Sequence, residues 1–409
     1  MHIEYLSLTN FRNFARLELS LPQGPILLHG ANAQGKTSLL EAIYYLATCK
    51  SPYTTADWQL INWQSEQDVI PFTRLSADIV SARNPLDRIE ITLMREQNGV
   101  DTRTRKDIRV NGVTRRVMDL IGQLNVILFL PRDLALIEGA PVERRRYMDD
   151  TLCQTDRTYC EALATYERLL PQRNALLRRI AEGQSSPAEL DYWDAQLAEH
   201  GAVLIAGRQR LLRELEGLAQ RMHFELTGRQ EILEIAYQPS FNPTVSGDGQ
   251  MSFNALGLDL HRELTADEIA PQFLDALVET RAEHVERGIT LIGPHRDELR
   301  LTINQRDVGL YGSRGQTRTA ILALKLAELN WMRDAIGEWP ILLLDEVIAE
   351  LDANRRAYLL DHIDGASQSI LTTTEPSFFT EQFIKKATLW HVVEGQITRE
   401  QGGATPADL

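Results

Sequence analysis

The chain has 409 residues, of which 43% are hydrophobic and 24% are charged, as is ordinary for a globular protein of about two to three domains. Its formal net charge of −14 argues against a uniformly basic nucleic-acid binder but leaves room for a local basic patch. No apolar run approaches the roughly 18 residues that a membrane span needs, and the N-terminus lacks the blocks of a signal peptide, so a cytoplasmic protein is expected.

The first predicted element is a β-hairpin, because apolar residues alternate over residues 2–21 on either side of Asn10-Phe11-Arg12-Asn13-Phe14. The next apolar run, residues 26–28, leads into a Gly-rich turn and then into a helical pattern. This order is typical of a P-loop, whose backbone N–H groups and helix dipole face one spot where phosphates bind. A glycine turn before an ordinary helix is the alternative.

Two residues of the turn carry most of the predicted chemistry. Lys36 would reach the β- and γ-phosphates, and the Thr37 hydroxyl would ligate Mg²⁺. The whole predicted phosphate-binding stretch is Gly30, Ala31, Asn32, Ala33, Gln34, Gly35, Lys36, Thr37 and Ser38.

Strand patterns follow at residues 75–80, 89–94 and 108–110, and Asn111-Gly112 signals a hairpin turn, so an antiparallel β-layer is expected beside the nucleotide. Two stretches are locally basic. They are either a nucleic-acid-binding patch or a solvated charged face. The first comprises Arg103, Arg105, Lys106, Arg109, Arg115 and Arg116, and the second is Arg144-Arg145-Arg146.

From about Met118 the pattern changes from strands to amphipathic helices, the first of which Pro171 is expected to break or kink. A second helix starts after the cap Ser186, and its leucine stripe spans at most roughly 50 Å. Gly201 and Gly207 are expected to bend it. The pattern indicates a short helical arm, and the loop at residues 239–249 is expected to be mobile.

Strand patterns return at residues 290–292 and 299–303, and Ser313-Arg314-Gly315-Gln316 then opens a helix as a second phosphate-seeking element. Residues 340–344 form an apolar run that ends in Asp345 and Glu346, as in a buried parallel strand whose carboxyl end faces a ligand. Asp345 would hold Mg²⁺ opposite Thr37, and Glu346 would polarise the water that attacks the γ-phosphate. The alternative is two acids that cap a surface strand. A strand at 369–374, a hairpin turning at Glu394-Gly395 and a disordered end complete the prediction.

The order of P-loop, helical insertion, S-x-G-Q signature, strand-Asp-Glu and Glu350-Leu351-Asp352 resembles the ATPase heads of the ABC class, in their SMC and Rad50 branch. Within that branch the chain resembles the RecF family over nearly its whole length. The blocks that carry the resemblance are Leu8-Thr9-Asn10-Phe11-Arg12-Asn13, Asn32-Ala33-Gln34-Gly35-Lys36-Thr37, Glu143-Arg144-Arg145-Arg146, Gln172-Arg173-Asn174-Ala175-Leu176-Leu177, Gly293-Pro294-His295-Arg296-Asp297 and Leu343-Leu344-Asp345.

The resemblance implies an α/β fold, an ABC-type P-loop ATPase head with mixed β-sheets and flanking helices plus an inserted, mainly helical arm. It implies head segments at 1–117 and 289–401, an arm at 118–288 and a flexible tail at 402–409. In the ABC class two heads sandwich two ATPs, and the signature serine of one binds the nucleotide of the other. The resemblance therefore adds five residues to the predicted ATP-binding set: Arg12, Ser313, Gly315, Gln316 and Asp352. It is consistent with Thr37 and Asp345 as metal ligands and with Lys36, Asp345 and Glu346 as catalytic residues.

The function that the resemblance implies is ATP-dependent DNA binding in recombinational repair and replication-fork maintenance. An ATP-induced homodimer would clamp single-stranded, gapped or duplex DNA, and slow, DNA-stimulated hydrolysis would release it. Loading of recombinase and support of the SOS response would follow, with RecR and RecO as partners and no membrane association.

Some features depart from these patterns or leave alternatives open. The family commonly has Asp where this chain has Glu346, and residues 372–374 stand where transporters have their switch histidine. Gln123 is the candidate Q-loop glutamine. The roles of His295 and Arg296 stay open. A transporter-type ABC subunit is disfavoured by the length of the arm. A Rad50-like tether would need a long coiled coil and a C-x-x-C pair, whereas the three cysteines look like buried or incidental thiols. A metabolite kinase would leave the signature without a purpose.

Overall fold

The computed structural model describes residues 1–67, 69–98, 101–241, 243 and 264–400, with the backbone alone described at 66, 67, 97, 98, 101 and 102. The strands are β1 His2–Phe11, β2 Phe14–Ser20, β3 Gly24–His29, β4 Phe72–Val80, β5 Asp87–Asn98, β6 Asp101–Val110, β7 Val113–Thr114, β8 Val126–Phe129, β9 Leu233–Gln238, β10 Glu298–Ile303, β11 Arg306–Asp307, β12 Ile341–Asp345, β13 Gln368–Thr373, β14 Thr388–Val393 and β15 Gln396–Arg399.

The α-helices are α1 Lys36–Thr48, α2 Val117–Leu120, α3 Ala135–Glu138, α4 Pro141–Thr155, α5 Arg157–Ala181, α6 Leu190–Leu226, α7 Ala266–Glu279, α8 Arg281–Arg287, α9 Val308–Tyr311, α10 Arg314–Ile336, α11 Ala353–Ile363 and α12 Glu381–Lys386. Short 3-10 helices lie at Asp57–Leu60, Trp63–Gln67, Pro131–Leu134, Pro187–Glu189, Pro294–Arg296, Val347–Glu350 and Pro376–Phe378. Most of the predicted mobile loop at 239–249 and the whole predicted tail lie outside the described residues.

The chain packs into two compact units. The first comprises Met1–Asp133 and Glu328–Leu409, and the second comprises Leu134–Ala327. The domain boundaries predicted from the sequence place residues 289–327 with the head, whereas these residues pack within the second unit; the boundaries stay a prediction.

A largely parallel sheet of the first unit has the strand order β15-β14-β3-β13-β12-β8, with only β15 antiparallel to its neighbour. The predicted strands at 26–28, 340–344 and 369–374 are confirmed, and β12 is buried along its whole length. The helical interpretation of the chain from Met118 onward was wrong at β8, which pairs with β12. Four consecutive apolar residues, Val126–Phe129, are too few to distinguish a buried strand from a helix by periodicity.

The other sheet of the first unit is antiparallel, with the order β2-β1-β4-β5-β6-β7. It confirms the N-terminal hairpin, the predicted β-layer and the turn at Asn111-Gly112, where both residues have positive φ as a two-residue hairpin loop requires. One apolar core combines residues of both sheets and of α1, and its members include Leu8, Phe11, Ile43, Ile91 and Leu343.

Two long helices dominate the second unit. Pro171 does not end the first long helix, because α5 continues through it and is buried on both sides of it, at Leu169 and Leu176. A kink at Pro171 stays a prediction. Proline removes one backbone hydrogen bond, and packing offsets that loss. The capping box of Ser186 before α6 is confirmed.

Gly201 and Gly207, predicted to bend α6, permit close helix packing. A Cβ at Gly201 would lie 2.6 Å from Phe273 Cε1, and one at Gly207 would lie 2.6 Å from Tyr159 Cδ2. The bend itself stays a prediction.

A three-stranded antiparallel sheet, β11-β10-β9, completes the second unit. The strand predicted at 299–303 is confirmed as β10, but the strand predicted at 290–292 was wrong. Thr290 gives its N–H and its hydroxyl to the side chain of Asn174, at 2.8 and 2.7 Å, instead of to a neighbouring strand. Cys49, Cys153 and Cys160 are buried and form no disulfide with one another, in agreement with the predicted buried thiols. In the part of the chain that the structure describes, no helix is both long and apolar enough to cross a membrane.

Candidate functional site

The Gly-rich turn between β3 and α1 has a backbone that only glycine fits at two positions. Gly30 and Gly35 have φ of 144° and 115°. A Cβ at Gly30 would lie 2.5 Å from the carbonyl oxygen of Val392, and one at Gly35 would lie 2.4 Å from the side-chain nitrogen of Asn13. Such clashes would displace the turn, so the glycines are needed for its shape.

Lys36, the first residue of α1, folds back over the turn. Its Nζ donates to the carbonyl oxygens of Gly30 at 2.7 Å and Ala31 at 3.0 Å, and it lies 3.4 Å from Oε1 of Glu346. Only 4% of Lys36 is exposed. The ammonium group is therefore held at the mouth of the turn by two dipoles and one carboxylate.

Thr37 and Asp345 come together although 308 residues separate them. Thr37 Oγ1 lies 3.0 Å from both carboxylate oxygens of Asp345, and Thr372 Oγ1 donates to Oδ1 of Asp345 at 2.8 Å. The parallel pairing of β12 with β13 brings Thr372 beside Asp345. A hydroxyl and a carboxylate at this spacing are oxygen ligands of the kind that Mg²⁺ prefers, and they leave positions for substrate and water.

Glu346 follows with a backbone φ of 53°, in the left-handed region that non-glycine residues rarely adopt. Its N–H donates to Thr372 Oγ1 at 2.9 Å, which fixes this conformation. The side chain is 37% exposed while that of Lys36 is 3% exposed. Backbone strain of this kind is often retained at functional sites, and here it turns an acidic side chain toward the Gly-rich turn.

Two residues of this site were missed from the sequence. The Tyr53 hydroxyl donates to Oδ2 of Asp345 at 2.8 Å, and the Arg132 guanidinium lies 4.8 Å from the centre of the Tyr53 ring. Burial, and then the charge of Asp345, raise the pKa of Tyr53, so this hydroxyl stays a proton donor. Neither residue belongs to a local motif, and only the fold brings them to Asp345.

The Gly-rich turn is also fastened from outside. The Gln34 carbonyl accepts from Asn13 Nδ2 at 2.9 Å and from the N–H of Gly395 at 3.1 Å, and its side-chain oxygen accepts from the N–H of Glu394 at 2.7 Å. The N-terminal hairpin and the β14–β15 hairpin therefore both hold the turn.

Arg12, predicted to contact the nucleotide, makes a two-pronged ion pair with Glu41. The two N–H···O distances are 2.8 and 2.7 Å, and a third N–H donates to the Gln59 carbonyl at 3.0 Å. Glu41 is buried, so this pair anchors the N-terminal hairpin to α1. Contact between Arg12 and a nucleotide stays a prediction.

The predicted signature residues belong to the second unit. The Ser313 hydroxyl accepts from the N–H of Gln316 at 3.3 Å, while the Gln316 side chain accepts from the N–H of Ser313 at 2.9 Å. This reciprocal arrangement caps α10, as predicted for a helix start. Ser313 and Gly315 are exposed. Asp352, in the first unit, caps α11 through the N–H of Arg355.

The pKa of Asp352 is lowered, chiefly by that N–H, so the carboxylate is charged at neutral pH. Gln123, the candidate Q-loop residue, donates to the carbonyl of Asp119 at 3.4 Å, and its assignment stays a prediction.

The two basic stretches are less free than their composition suggests. Lys106, counted with the arginines of the first stretch, lies 3.1 Å from Asp57 Oδ2 and over the Tyr45 ring. Along β6 side chains alternate, so even-numbered Lys106 faces the interior while odd-numbered Arg103, Arg105 and Arg109 are exposed.

In the second basic stretch, Arg144 is held by Glu298, with 2.9 Å between Nη2 and Oε2. Arg145 is partly buried and donates to the carbonyl of Asp297 at 3.0 Å. Arg146 remains exposed, 3.4 Å from Glu143.

The residues present fit a nucleoside triphosphate with a magnesium ion. The Gly-rich turn leaves no room for a Cβ where backbone must approach a phosphate, and a buried ammonium and a Thr–Asp oxygen pair lie at its end. Within the described ranges no group of three or more His, Cys, Asp or Glu residues could hold a metal by itself. Mg²⁺ is usually bound by one or two protein oxygens together with phosphate and water, and the Thr37 hydroxyl and the Asp345 carboxylate are oxygens of this kind.

The chain resembles known proteins along nearly its whole length. Residues 2–397 match the family model described as the RecF/RecN/SMC N terminal domain. The chain is 41% identical over 407 residues to a DNA replication and repair protein RecF of Chloroflexus aurantiacus, an alignment that covers 97% of this chain and 99% of the relative. It is 40% identical over 408 residues to the RecF of Roseiflexus castenholzii, with the same coverage.

Solved structures give a matching result. A structure of the recombination mediator protein RecF-ATP in the RecFOR pathway superposes with a TM-score of 0.82 and 29% identity and covers 98% of both chains. An SmcHead bound to the C-winged helix domain of ScpA gives a TM-score of 0.52 at 15% identity, which bears on the fold alone. Together these neighbours confirm the predicted α/β fold, with its mixed sheets and flanking helices, as that of an ABC-type ATPase head.

Proposed function

The chain belongs to the RecF family of DNA replication and repair proteins, and from this premise we propose that it is an ATP-dependent DNA-binding switch of recombinational repair. Two copies would close on two ATP molecules and on DNA, which would be single-stranded or gapped, or duplex near junctions. Slow hydrolysis would reopen the dimer. Recombinase loading, aided by RecR and RecO, and support of the SOS response would be the output.

The observation that carries this proposal is the meeting of Lys36, Thr37, Asp345 and Glu346 beyond the carboxyl ends of β3 and β12, two parallel strands on either side of β13. Thr37 and Asp345 are 3.0 Å apart, and Lys36 and Glu346 are 3.4 Å apart. An ammonium and a hydroxyl at the end of a Gly-rich turn, facing two carboxylates at the end of β12, are the parts that phosphoryl transfer to water needs.

These four side chains have separable roles in the proposed reaction. Thr37 and Asp345 would hold Mg²⁺, which when bound neutralises charge on the phosphates. The Lys36 ammonium would exchange its contact with Glu346 for the phosphate oxygens, because a phosphate carries more charge. Glu346, once released, would accept a hydrogen bond from the attacking water and orient it toward the γ-phosphate.

The signature supports a role between two heads. Ser313 is exposed at the start of α10 and donates to no side chain in the described part of the chain, so its hydroxyl hydrogen is available to a phosphate. One γ-phosphate cradled by the Gly-rich turn has little use for a second helix start from the same head. We therefore assign Ser313, Gly315 and Gln316 to the nucleotide of the partner head.

The test separates binding from hydrolysis. Lys36→Met should abolish ATP binding, whereas Glu346→Gln should bind ATP, stop turnover and accumulate the dimer, because an amide orients water poorly. Sedimentation with ATP, together with phosphate release, measures both. Glu381→Gln, at a side chain that is 78% exposed on α12, is the matched control and should behave as wild type. Wild-type turnover by Glu346→Gln would remove this residue from the proposed role.

A further inference from the structure

The turn formed by residues 293–297, between α8 and β10, is a block of the family resemblance to which the proposed function gives no role. It reads Gly293-Pro294-His295-Arg296-Asp297. Every residue of this 293–297 turn is buried or half-buried except Arg296, which is exposed. Buried side chains on both sides of Arg296 hold the backbone of the turn in place.

Asp297 is the first anchor. Its side chain is fully buried and accepts hydrogen bonds from the Tyr237 hydroxyl, from the N–H of Ser240 at 2.9 Å and from Nη1 of Arg208 at 3.3 Å. The same Arg208 nitrogen donates to the carbonyl of Pro294 at 2.6 Å. A buried carboxylate with this many donors has one stable orientation, because each lost bond would leave a buried polar group unpaired.

The other side of the turn is fixed in the same manner. His295 Nδ1 lies 2.8 Å from the Tyr166 hydroxyl, and its Nε2 lies 3.0 Å from the carbonyl of Thr290. Gly293 has a φ of 120°, and a Cβ there would lie 2.6 Å from the Tyr166 hydroxyl oxygen. The backbone on both sides of Arg296 is therefore held by buried side chains of α5, α6 and β9.

Arg296 itself has no counterpart. Across the residues that the structure describes, its side chain makes no ion pair and no hydrogen bond, while its backbone N–H donates to the carbonyl of Gly293 at 2.8 Å. Arg145 brings a second cation to the same turn, because its Nη1 donates to the carbonyl of Asp297, the residue after Arg296. The charges of both arginines also act on His295, in the same turn. In the described portion of the chain Arg145 likewise makes no ion pair, although the carboxylates of Glu298, Asp297 and Asp149 act on it from a distance. Its neighbour Arg144 is paired with Glu298. Burial, and then the positive charge of Arg208, lower the pKa of Arg145, against the opposing effect of Glu298, Asp297 and Asp149.

We propose that Arg296 and Arg145 form a binding site for a phosphate oxyanion on the second unit. Planar guanidinium groups bind phosphate through two parallel N–H···O bonds, and a fixed backbone reduces the entropy lost when they do so. The inference rests on the proposed function, which supplies two sources of phosphate. One is the backbone of DNA and the other is the nucleotide.

The DNA arm of the test compares Arg296→Gln with wild type in titrations of labelled duplex and gapped DNA, with ATP, at several salt concentrations. Loss of one phosphate contact should lower the slope of log K against log salt by about 0.9 and weaken duplex binding about eightfold at 0.1 M salt. Arg296→Lys should keep the slope, because it keeps the charge. Arg179→Gln, at an exposed arginine on α5 of the same unit, is the matched control and should leave slope and affinity unchanged.

The nucleotide arm measures ATP affinity and ATP-dependent dimerisation of the same variants without DNA. A loss there, with an unchanged DNA slope, would assign the site to a nucleotide phosphate. If Arg296→Gln changes neither arm, the site does not exist. Wild-type protein that binds no DNA in the presence of ATP would instead contradict the proposed function, and the nucleotide arm would still decide on Arg296. Circular dichroism and a urea melt of each variant separate a binding defect from misfolding.

Discussion

At the scale of single residues, Asp345 is oriented by the hydroxyl groups of Thr37, Thr372 and Tyr53. Thr37 lies in α1 and Thr372 lies in β13, whereas Tyr53 lies outside the helices and strands, in the segment that follows α1. Hydrogen bonds to a metal-binding carboxylate typically change metal affinity by about 10- to 100-fold. We expect Tyr53→Phe to raise the Mg²⁺ concentration for half-maximal ATP hydrolysis by about tenfold, measured by phosphate release in a Mg²⁺ titration.

Tyr45→Phe is the control for this substitution. It also removes a tyrosine hydroxyl of the first unit, but that hydroxyl donates to Asp57 at 2.9 Å and does not touch Asp345. It should lower stability without changing the Mg²⁺ dependence. An unchanged Mg²⁺ titration with Tyr53→Phe would show that Thr37 and Thr372 suffice to orient the carboxylate.

His295 gives the second unit a pH dependence. Burial lowers its pKa to about 4, below the ordinary value of 6.5, so the unfolded chain binds a proton between these values that the folded chain does not. Its contribution is therefore complete above pH 6.5 and falls as the pH drops toward 4, by at most about 3 kcal/mol. We expect His295→Gln to be less stable than wild type at pH 7.5 but to lose less stability between pH 6.5 and 4.5. Urea unfolding at several pH values measures this, and parallel pH profiles would contradict it.

At the scale of elements, β6 presents two chemically different faces. Arg103, Arg105 and Arg109 are exposed, whereas Lys106 donates to the carbonyl of Cys49 at 3.1 Å and pairs with Asp57. Neutralising the three arginines as glutamines should weaken DNA binding evenly across sequences and flatten its salt slope. Lys106→Met should instead cost about 1–2 kcal/mol of stability and leave the salt slope unchanged. DNA titrations and urea melts of the two variants give the comparison.

Unchanged DNA affinity in the folded triple variant would mean that these arginines are a solvated face. The acidic neighbours make that outcome informative, since Arg105 lies 3.8 Å from Glu96 and Arg109 lies 3.1 Å from Asp107. A triple variant with reduced stability and an unchanged slope would also contradict the prediction.

The elements predicted correctly from the sequence are those with local signals. The Gly-rich turn, the strand that ends in Asp345 and the Asn111-Gly112 hairpin each carry their chemistry within a few consecutive residues. β8 was missed because its four apolar residues have no period. Counting charges did not separate Lys106 from the arginines of the same strand, whereas the alternation of side chains along β6 does. Tyr53 could not have been found, because its partner Asp345 lies 292 residues away and no spacing rule joins them.

At the scale of the whole molecule, the predicted dimer depends on Ser313. Replacing it with arginine should leave ATP binding to the monomer near wild type but block ATP-dependent dimerisation and hydrolysis, because a bulky cation would occupy the joint between heads. Ser313 also caps α10, and loss of a cap costs about 1 kcal/mol. Ser313→Ala is therefore the control, since it removes the cap without adding a cation. Sedimentation with ATP measures the result, and normal dimers of Ser313→Arg would mean that the signature does not act between heads.

A mixture of variants extends this test. Lys36→Met keeps an intact signature, and Ser313→Arg keeps an intact Gly-rich turn. A heterodimer of the two can assemble one composite site from the intact halves. Partial recovery of hydrolysis on mixing, when each variant alone is inactive, is the expected result, whereas no recovery at any ratio would argue against shared sites.

The hydrogen bonds that hold Gln34 have a consequence for folding during synthesis. The backbone N–H groups that hold its side chain and carbonyl belong to Glu394 and Gly395, 360 or more residues further along the chain. The Gly-rich turn therefore leaves the ribosome long before the β14–β15 hairpin that holds it has been synthesised. The two strands that pair with β3, β13 and β14, are also synthesised late. Contacts this distant in sequence form late, because the intervening chain must first be closed into a loop. A growing chain thus passes most of its synthesis with a phosphate-binding turn that is translated but unfinished, and nucleotide capture becomes a late event of biogenesis.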